Sequence, residues 1–262
     1  MDPIEPHFFG PSERQLFGVY HVPPGHSRAH GVVICPPGPQ EYMRSHMALR
    51  KLAMLLAKDG FHVLRFDYYA TGDSAGHSRD GNLSEWRANI VAAMEDIREC
   101  AGTRRISVVG FRLGAALAVA AAIDVVNLVL WEPVISGDAY VEGLRALHRR
   151  QYARFLAPPP LPAPGAGGDV LGMPVPAPME ADLRGLDLPR QIRARAQHVA
   201  LVASDPHQEL DALGASFQSQ ESAPSLEFCP IQAERNRDQR DAMLVSGQVL
   251  EAMASVLSRR AA

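Results

Sequence analysis

The chain has 262 residues, of which 47% are hydrophobic, and it carries a formal net charge of −3. This length and apolar content suffice for one large α/β domain or for a core domain with a small insertion. The charge leaves no basic excess for binding a phosphate backbone, so nucleic acid is not an expected partner.

The three cysteines, Cys35, Cys100 and Cys229, are widely spaced and form no C-x-x-C or Cys/His motif. Their spacing argues against a disulfide framework and against a zinc site, so no metal is expected. The first residues have neither the basic stretch nor the apolar run of a signal peptide, and no segment approaches the ~20 apolar residues of a membrane span. The sequence therefore predicts a cytoplasmic protein that does not interact with membranes.

The apolar periodicity predicts an alternation of strands and helices in the first half of the chain. Strands are predicted at residues 15–22, 31–35, 63–66, 106–109 and 127–131, and helices at residues 47–58, 83–100 and 113–123. We expect the first strand at an edge of the sheet, and Ser84 is a candidate N-cap of the second helix. Strands separated by helices of this length indicate a parallel sheet covered on both faces.

The alternation breaks after Pro133. Residues 140–155 have a basic helical pattern, and residues 157–178 are crowded with Pro and Gly. Such a stretch inside a compact domain predicts a cap insertion, and we place it at residues 136–189. The core is then formed by residues 1–135 and 190–262, with further strands at 199–203 and 226–231 and a closing helix at 242–257.

Residues 108–115 read VVGFRLGA, which is typical of a strand that runs into the G-x-S-x-G turn of serine hydrolases. The centre of this turn is Arg112 in place of serine. A guanidinium stays protonated at physiological pH and has no lone pair with which to attack a carbonyl, so standard serine-hydrolase chemistry cannot start from this position.

Four features follow one another in an order that resembles the α/β-hydrolase superfamily and its serine-aminopeptidase-like branch. They are the loop CPPGPQE at 35–41, the turn DYYATGDSAG at 67–76 with Ala70 in place of a glycine, the turn at 110–114, and Asp205 after the penultimate strand. The G-[LF]-R-L-G-A sequence also resembles uncharacterised bacterial members associated with exosortase or secondary-metabolite gene clusters. The resemblance implies an α/β-hydrolase fold with a mostly parallel, twisted sheet of about seven or eight strands, helices on both faces and a short Pro-rich helical cap.

A catalytic triad also needs a histidine after the last strand. Residues 229–238 contain none, so two of the three triad positions are empty, and only the acid position at Asp205 is filled. His207 could replace the missing base, but it lies on the loop of the acid itself. A solvent-facing histidine near a helix start is the alternative interpretation.

Arg112 has two possible roles. The turn should place its guanidinium over the N-terminus of the next helix, where it can bind a carboxylate, phosphate or enolate as a two-pronged fork. Alternatively, it is neutralised by an internal carboxylate, for which Glu132 and Asp205 are the candidates at the same sheet edge. Both hold if an anionic ligand exchanges with the carboxylate.

Further residues are candidates for contacts with a substrate. Cys35 and His46 could form a nucleophile–base pair, although cysteine is also a common buried residue. Ser45 lies near the start of the first helix and either lines the pocket or caps the helix. Basic residues of the cap, Arg145, His148 and Arg149, become a substrate site only if they point inward. The complete set of predicted substrate-binding residues is Cys35, Pro37, Ser45, His46, Phe111, Leu113 and His148.

Three functional hypotheses remain open. The first is a protein that binds a small acyl or carboxylate ligand, possibly carrier-bound, in a biosynthetic pathway. The second is a non-hydrolytic lyase, cyclase or acyl-transfer enzyme in which Arg112 stabilises an anion and Glu132 or Asp205 acts as acid or base. The third is a hydrolase that uses Cys35 or water. No dinucleotide-binding or P-loop motif is present, so no cofactor is expected. The sequence does not predict the oligomeric state.

Overall fold

The computed structural model describes residues 4–204, 207–231 and 245–260. The strands in this part of the chain are β1 (Ile4–Phe9), β2 (Leu16–His21), β3 (Gly31–Cys35), β4 (His62–Phe66), β5 (Ile106–Phe111), β6 (Asp124–Trp131), β7 (Gly168–Val170), β8 (Met173–Val175), β9 (Arg195–Ala203) and β10 (Ser225–Pro230). The helices are α1 (Pro39–Lys58), α2 (Leu83–Ala101), α3 (Leu113–Ala120), α4 (Gly137–Tyr152), α5 (Ala177–Arg184), α6 (Gln208–Gln218) and α7 (Gly247–Arg260).

Eight strands form one sheet in the order β1-β2-β4-β3-β5-β6-β9-β10. The pairs from β4 to β10 are parallel, whereas β1, β2 and β4 pair antiparallel to one another. The central strands β3 and β5 are buried along their whole length, because helices cover both faces of the sheet. The predicted α/β architecture and strand number are confirmed.

Two hydrophobic cores lie on the two faces of the sheet. One contains apolar side chains of α2, α3 and α6, including Trp86, Leu117 and Phe217. The other contains apolar side chains of α1 and α7, including Leu52 and Met253. The alternation of side chains along each strand explains this division, because successive residues point to opposite faces.

Several predicted boundaries are wrong. Strand β2 is not at the edge of the sheet, because β1 pairs along its full length. Helix α1 begins at Pro39, eight residues before the predicted start, with proline in the first turn, where its missing N–H costs no hydrogen bond. Asn82, not Ser84, caps α2, since its side chain accepts from the Glu85 N–H.

The segment at residues 136–189, which we call the insertion, consists of α4, the hairpin β7–β8 and α5. Ser136 caps α4 and also forms a β-bridge with Asp187, so the two ends of the insertion meet. The predicted start of the closing helix, residue 242, lies outside the described residues, and α7 is described from Gly247. Across the described residues, no helix is long and apolar enough to cross a membrane.

Candidate functional site

The turn between β5 and α3 places Arg112 at the carboxyl edge of the sheet. Arg112 has φ 51° and ψ −114°, which is a strained conformation for a residue other than glycine. Its N–H donates to the Trp131 carbonyl, and its carbonyl accepts from Ala115, Ala116 and Val134. The main chain therefore fixes this turn from both neighbouring elements.

The two glycines of the motif allow the backbone to pack closely around the turn. A Cβ atom on Gly110 would lie 2.4 Å from the Cα of Ala115, and one on Gly114 would lie 2.2 Å from the Pro36 carbonyl oxygen. Only glycine fits either position without movement of the backbone. Close contact between α3 and the β3–α1 loop thus depends on Gly114.

The guanidinium of Arg112 forms an ion pair with Glu41 at the start of α1. Its Nε donates to Glu41 Oε1 at 3.0 Å, and its Nη1 donates to the Glu132 carbonyl at 3.1 Å. The second Glu41 oxygen accepts from the Tyr140 hydroxyl at 3.0 Å. The expected internal carboxylate exists, but the one that is hydrogen-bonded to Arg112 is Glu41 and not the predicted Glu132, whose carboxylate acts on Arg112 only through a weaker electrostatic attraction.

Burial and charge shift the pKa values of Arg112 and Tyr140. Burial is the largest single effect on Arg112 and lowers its pKa, but the charge and hydrogen bond of Glu41, with smaller effects of Tyr140 and Glu132, together outweigh it, and the net pKa is raised. Burial and the Glu41 carboxylate both raise the pKa of Tyr140 well above its ordinary value. Arg112 is therefore cationic and Tyr140 neutral at physiological pH.

Glu132 follows β6 and has an unusual backbone with φ 42°. Its Oε1 accepts from the Ser204 N–H at 2.8 Å, so the carboxylate connects β6 to the loop after β9. Asp205, the other predicted acid, lies outside the described residues. Its neighbour Ser204 lines the same cavity as Arg112.

A cavity of about 410 Å³ opens above Arg112 between α1, the ends of β6 and β9, and α4. Its polar lining consists of Glu41, Arg44, Ser45, Arg112, Glu132, Tyr140, Arg150 and Ser204. Its apolar lining includes Pro37, Trp131, Leu144 and Leu147. Among the described lining residues, the ionisable side chains are three arginines and two glutamates, besides Tyr140. The indole N–H of Trp131 is buried and has no acceptor among the described residues.

A second cavity of about 320 Å³ lies beside the β3–α1 loop and shares Pro37 with the first. Its lining is mostly apolar and includes Tyr42, Met43, Trp86 and Met179. The loop that carries Pro37 thus separates a charged cavity from an apolar one.

Of the predicted substrate-binding residues, Pro37 and Ser45 line the charged cavity. Ser45 lies inside α1, where its hydroxyl donates to the Glu41 carbonyl at 3.0 Å, so it does not cap the helix. His46, one residue further along α1, is exposed and its ring contacts the Met43 carbonyl. A helix turns about 100° per residue, and this rotation separates the two side chains.

Three other predicted residues belong to the core. Cys35 is fully buried, and burial raises the pKa of its thiol far above the ordinary value. Since His46 is exposed, the structure does not bring the predicted Cys35–His46 pair together. Phe111 is fully buried against Trp131 with ring centroids 5.7 Å apart, and Leu113 is buried on the other face of the sheet.

His148 is buried within the insertion. Its Nδ1 accepts from the Leu171 N–H at 3.0 Å, and its Nε2 contacts the Pro159 carbonyl at 3.3 Å. Arg145 similarly donates to the Pro162 carbonyl at 2.7 Å, whereas Arg149 is exposed. These contacts hold the Pro-rich segment against α4, and they place His148 in a different cavity from Arg112. His207 caps α6 by accepting from the Leu210 N–H, which agrees with the alternative interpretation of that residue.

The sequence analysis missed Glu41 and Tyr140, which complete the Arg112 site. Glu41 lies four residues before Ser45, so a helix that starts at Pro39 places both on one face. The missing signal was therefore the correct start of α1. Tyr140 lies 99 residues from Glu41 and could not be paired with it from spacing.

A scan against protein-family models and a search of curated proteins find no match to the chain. Solved structures do match over nearly its full length. DcsB in complex with its substrate analogue has a TM-score of 0.67 at 14% identity, with 98% of each chain covered. Est1E from Butyrivibrio proteoclasticus with bound ferulic acid has a TM-score of 0.63 at 14% identity, covering 97% of this chain and 96% of that one.

A putative hydrolase from Agrobacterium vitis has a TM-score of 0.62 at 18% identity, covering 99% of this chain and 100% of that one. The chain has an α/β-hydrolase fold. In α/β-hydrolases the active site lies at the carboxyl edge of the sheet, near a strained strand-to-helix turn. Arg112 and the charged cavity are at this edge.

Proposed function

We propose that this protein binds the carboxylate of a small acyl ligand at Arg112 and that it is not a serine hydrolase. The observation that carries the proposal is the hydrogen bonding of the guanidinium. Glu41 occupies Nε and the Glu132 carbonyl takes one Nη1 proton, while the remaining Nη1 proton and both Nη2 protons have no acceptor among the described residues. The Arg112 side chain is 34% exposed, so these donors are accessible from the cavity.

The surroundings favour an anion at this point. Two Nη groups form a fork that matches the two oxygens of a carboxylate. Arg112 immediately precedes α3, whose first N–H groups, at Leu113 and Gly114, have no acceptor within the helix and contribute a positive dipole end.

We assign the acyl or aryl portion of the ligand to the neighbouring apolar cavity. Its Tyr42, Met43, Trp86 and Met179 side chains provide the apolar walls that such sites commonly have. In this proposal the insertion acts as a cap, because α4 contributes Tyr140 and Leu144 to the charged cavity. A role in a biosynthetic pathway and a cytoplasmic location remain predictions.

We infer the absence of serine-hydrolase activity from the residue at position 112 and from the composition of the residues after His207. If Arg112 occupies the nucleophile position of the fold, no hydroxyl stands there, and no histidine follows His207 in the chain. Cys35 does not supply an alternative nucleophile, since its buried thiol stays protonated.

One observation favours a second candidate, a non-hydrolytic enzyme. The Glu132 carboxylate lines the same cavity and uses one oxygen for the Ser204 N–H. A carboxylate beside a bound anion can exchange a proton with the ligand while Arg112 stabilises the charge that develops. Lyase, cyclase and acyl-transfer reactions fit this arrangement.

The proposed binding is tested by calorimetry and thermal shift with medium-chain carboxylates and acyl thioesters. We expect a carboxylate to stabilise the wild-type protein and Arg112→Lys to weaken its binding about 10- to 100-fold, since the fork loses a charge-assisted hydrogen bond of roughly 1.5–3 kcal/mol.

The matched control is Arg195→Lys, an exposed arginine paired with Asp124 at the opposite end of the strands, which should leave the affinity unchanged. Equal affinities in wild type and Arg112→Lys would refute the anion receptor. Conversion of the bound ligand that disappears in Glu132→Gln would favour the enzyme candidate over a binding protein.

A further inference from the structure

Three side chains with metal-binding atoms converge at the β1 edge of the sheet, on two elements that do not line the Arg112 cavity. His7 lies on β1, and Asp96 and Cys100 lie on α2. His7 Nε2 is 2.8 Å from Asp96 Oδ2, and Cys100 Sγ is 3.9 Å from the same oxygen. The three ligand atoms all lie within 4.8 Å of one another.

The regular structure of the two elements produces this convergence. Asp96 and Cys100 are four residues apart and share one face of α2. Glu5 and His7 are two residues apart and share one face of β1. The carboxylate of Glu5 is not part of the cluster, so the fourth ligand position is left to water. Sequence spacing gives no sign of the site, because 89 positions separate His7 from Asp96.

Each ring nitrogen of His7 contacts a hydrogen-bond acceptor. Its Nδ1 contacts the Glu5 carbonyl at 3.3 Å, and its Nε2 contacts the Asp96 carboxylate at 2.8 Å. Both partners are acceptors, so the two contacts require either a protonated imidazole that forms an ion pair with Asp96, or a neutral imidazole with a cation at Nε2. In the second arrangement Nδ1–H is donated to the Glu5 carbonyl. Metal-bound histidines commonly make this second contact.

We propose that His7, Asp96 and Cys100 bind a zinc ion, with water as the fourth ligand. Imidazole, thiolate and carboxylate are the donors that zinc uses in proteins, whereas magnesium and calcium select oxygen alone. Ideal tetrahedral zinc keeps nitrogen and oxygen ligands roughly 3.4 Å apart and sulfur and oxygen ligands roughly 3.6 Å apart. The observed separations of 2.8 and 3.9 Å reach these values through small side-chain rotations.

The site is half-buried and anionic, which suits a divalent cation. The His7 and Asp96 side chains are 29% and 13% exposed, and Cys100 is exposed at the end of α2. Asp96 and the thiolate formed on binding give two negative charges beside the metal. The zinc would connect the edge strand β1 to α2, and its role would be structural.

The test uses the full chain without a histidine tag, treated with a chelator and titrated with Zn²⁺ in a calorimeter and with Co²⁺ in a spectrophotometer. We expect one site per chain and a thiolate-to-cobalt charge-transfer band. Cys100→Ser should abolish this band, and both Cys100→Ser and His7→Ala should weaken zinc binding by about tenfold or more.

Cys229→Ser is the matched control, because Cys229 is a partly exposed thiol on β10 beside a different carboxylate, Glu227. It should leave the affinity and the cobalt band unchanged. The proposal is overturned if the wild type binds no zinc, or if Cys100→Ser and His7→Ala bind zinc and cobalt as the wild type does. None of these outcomes depends on a ligand at Arg112.

Discussion

The Arg112 backbone has a φ of 51°, which costs a residue other than glycine on the order of 1 kcal/mol or more. The contacts of its side chain and main chain offset this strain. A serine at this position would keep the turn but would leave Glu41, which is 4% exposed, without its cation. We expect Arg112→Ser to lose about 3–5 kcal/mol of stability for this reason.

The double variant Arg112→Ser/Glu41→Gln removes the unpaired charge and tests whether the turn can support catalysis. We predict that neither the wild type nor this variant reacts with a fluorophosphonate probe, because no histidine follows His207 to activate the hydroxyl. Active-site labelling followed by mass spectrometry measures this. Labelling of the wild type would reveal a different serine nucleophile, and labelling of the variant at position 112 would reveal another base.

Tyr140 holds the second oxygen of Glu41 and thereby orients the carboxylate toward Arg112. Tyr140→Phe removes this charge-assisted hydrogen bond from a buried carboxylate. We predict a loss of roughly 1.5–3 kcal/mol in the free energy of unfolding, measured by urea denaturation. Tyr152→Phe, on the same helix but remote from Glu41, should change it by less than about 0.5 kcal/mol. Similar values for the two variants would contradict the proposed role of the hydroxyl.

At the scale of elements, α3 approaches the β3–α1 loop closely at Gly114. A Cβ atom there would lie 2.2 Å from the Pro36 oxygen and 2.6 Å from the Cys35 oxygen, both of which are backbone atoms. We predict that Gly114→Ala destabilises the protein by about 1–3 kcal/mol and lowers the affinity of any carboxylate, because the loop must move.

Gly143→Ala provides the comparison within another helix. Gly143 is exposed in α4, and apart from the helix backbone no atom of the described residues lies within 4 Å of the position of its Cβ. Alanine there should stabilise the protein by roughly 0.5–1 kcal/mol, because glycine is the poorer helix former. Thermal denaturation of the two variants measures both effects. If alanine changes the stability in the same direction at both positions, the close contact at Gly114 does not restrict the turn.

At the scale of the whole molecule, we expect stability at acidic pH to depend on His30, a buried histidine directly before β3. His30 is fully buried, and its Nε2 contacts the Ser107 hydroxyl at 2.8 Å. Burial, together with the positive charges of Arg105 and Arg28, lowers the pKa of His30 from 6.5 to about 4. Between these values the unfolded chain binds a proton that the folded chain does not, so stability falls as the pH falls through this window.

We predict that this single group lowers the free energy of unfolding by about 2 kcal/mol between pH 7 and pH 5. Urea denaturation at the two pH values measures the change. His30→Gln should lose this part of the pH dependence, while His46→Gln, which alters an exposed histidine on α1, should retain it. Equal pH dependence in wild type and His30→Gln would show that other groups cause the acid sensitivity.

The sequence predicted the central strands and helices because buried parallel strands are short apolar runs and the helices have apolar residues at helical spacing. It did not predict β1, whose residues are mostly exposed and include Pro6. It predicted Arg112 at the turn, because the two glycines mark that position. The partner Glu41 was missed, because Pro39 is typical of a loop as well as of a first helical turn.

The substrate-binding predictions failed where side-chain direction decides the outcome. Cys35, Phe111 and Leu113 are at the correct edge of the sheet, but their side chains enter the core. Ser45 and His46 are adjacent in sequence, and only the orientation of α1 sends one into the cavity and the other to solvent. Spacing along the chain fixes which residues share a face, but packing between elements fixes where that face points.

Within the part of the chain that the structure describes, the peptide groups of residue 112 bond to main-chain atoms of residues 115, 116, 131 and 134. The backbone conformation of the turn therefore does not depend on which side chain residue 112 carries. Once Glu41 is neutralised, a synthetic amino acid with a chelating or photoreactive side chain could be installed there and would stand over the same cavity. The protein thus offers a defined attachment point for new chemistry without redesign of the sheet beneath it.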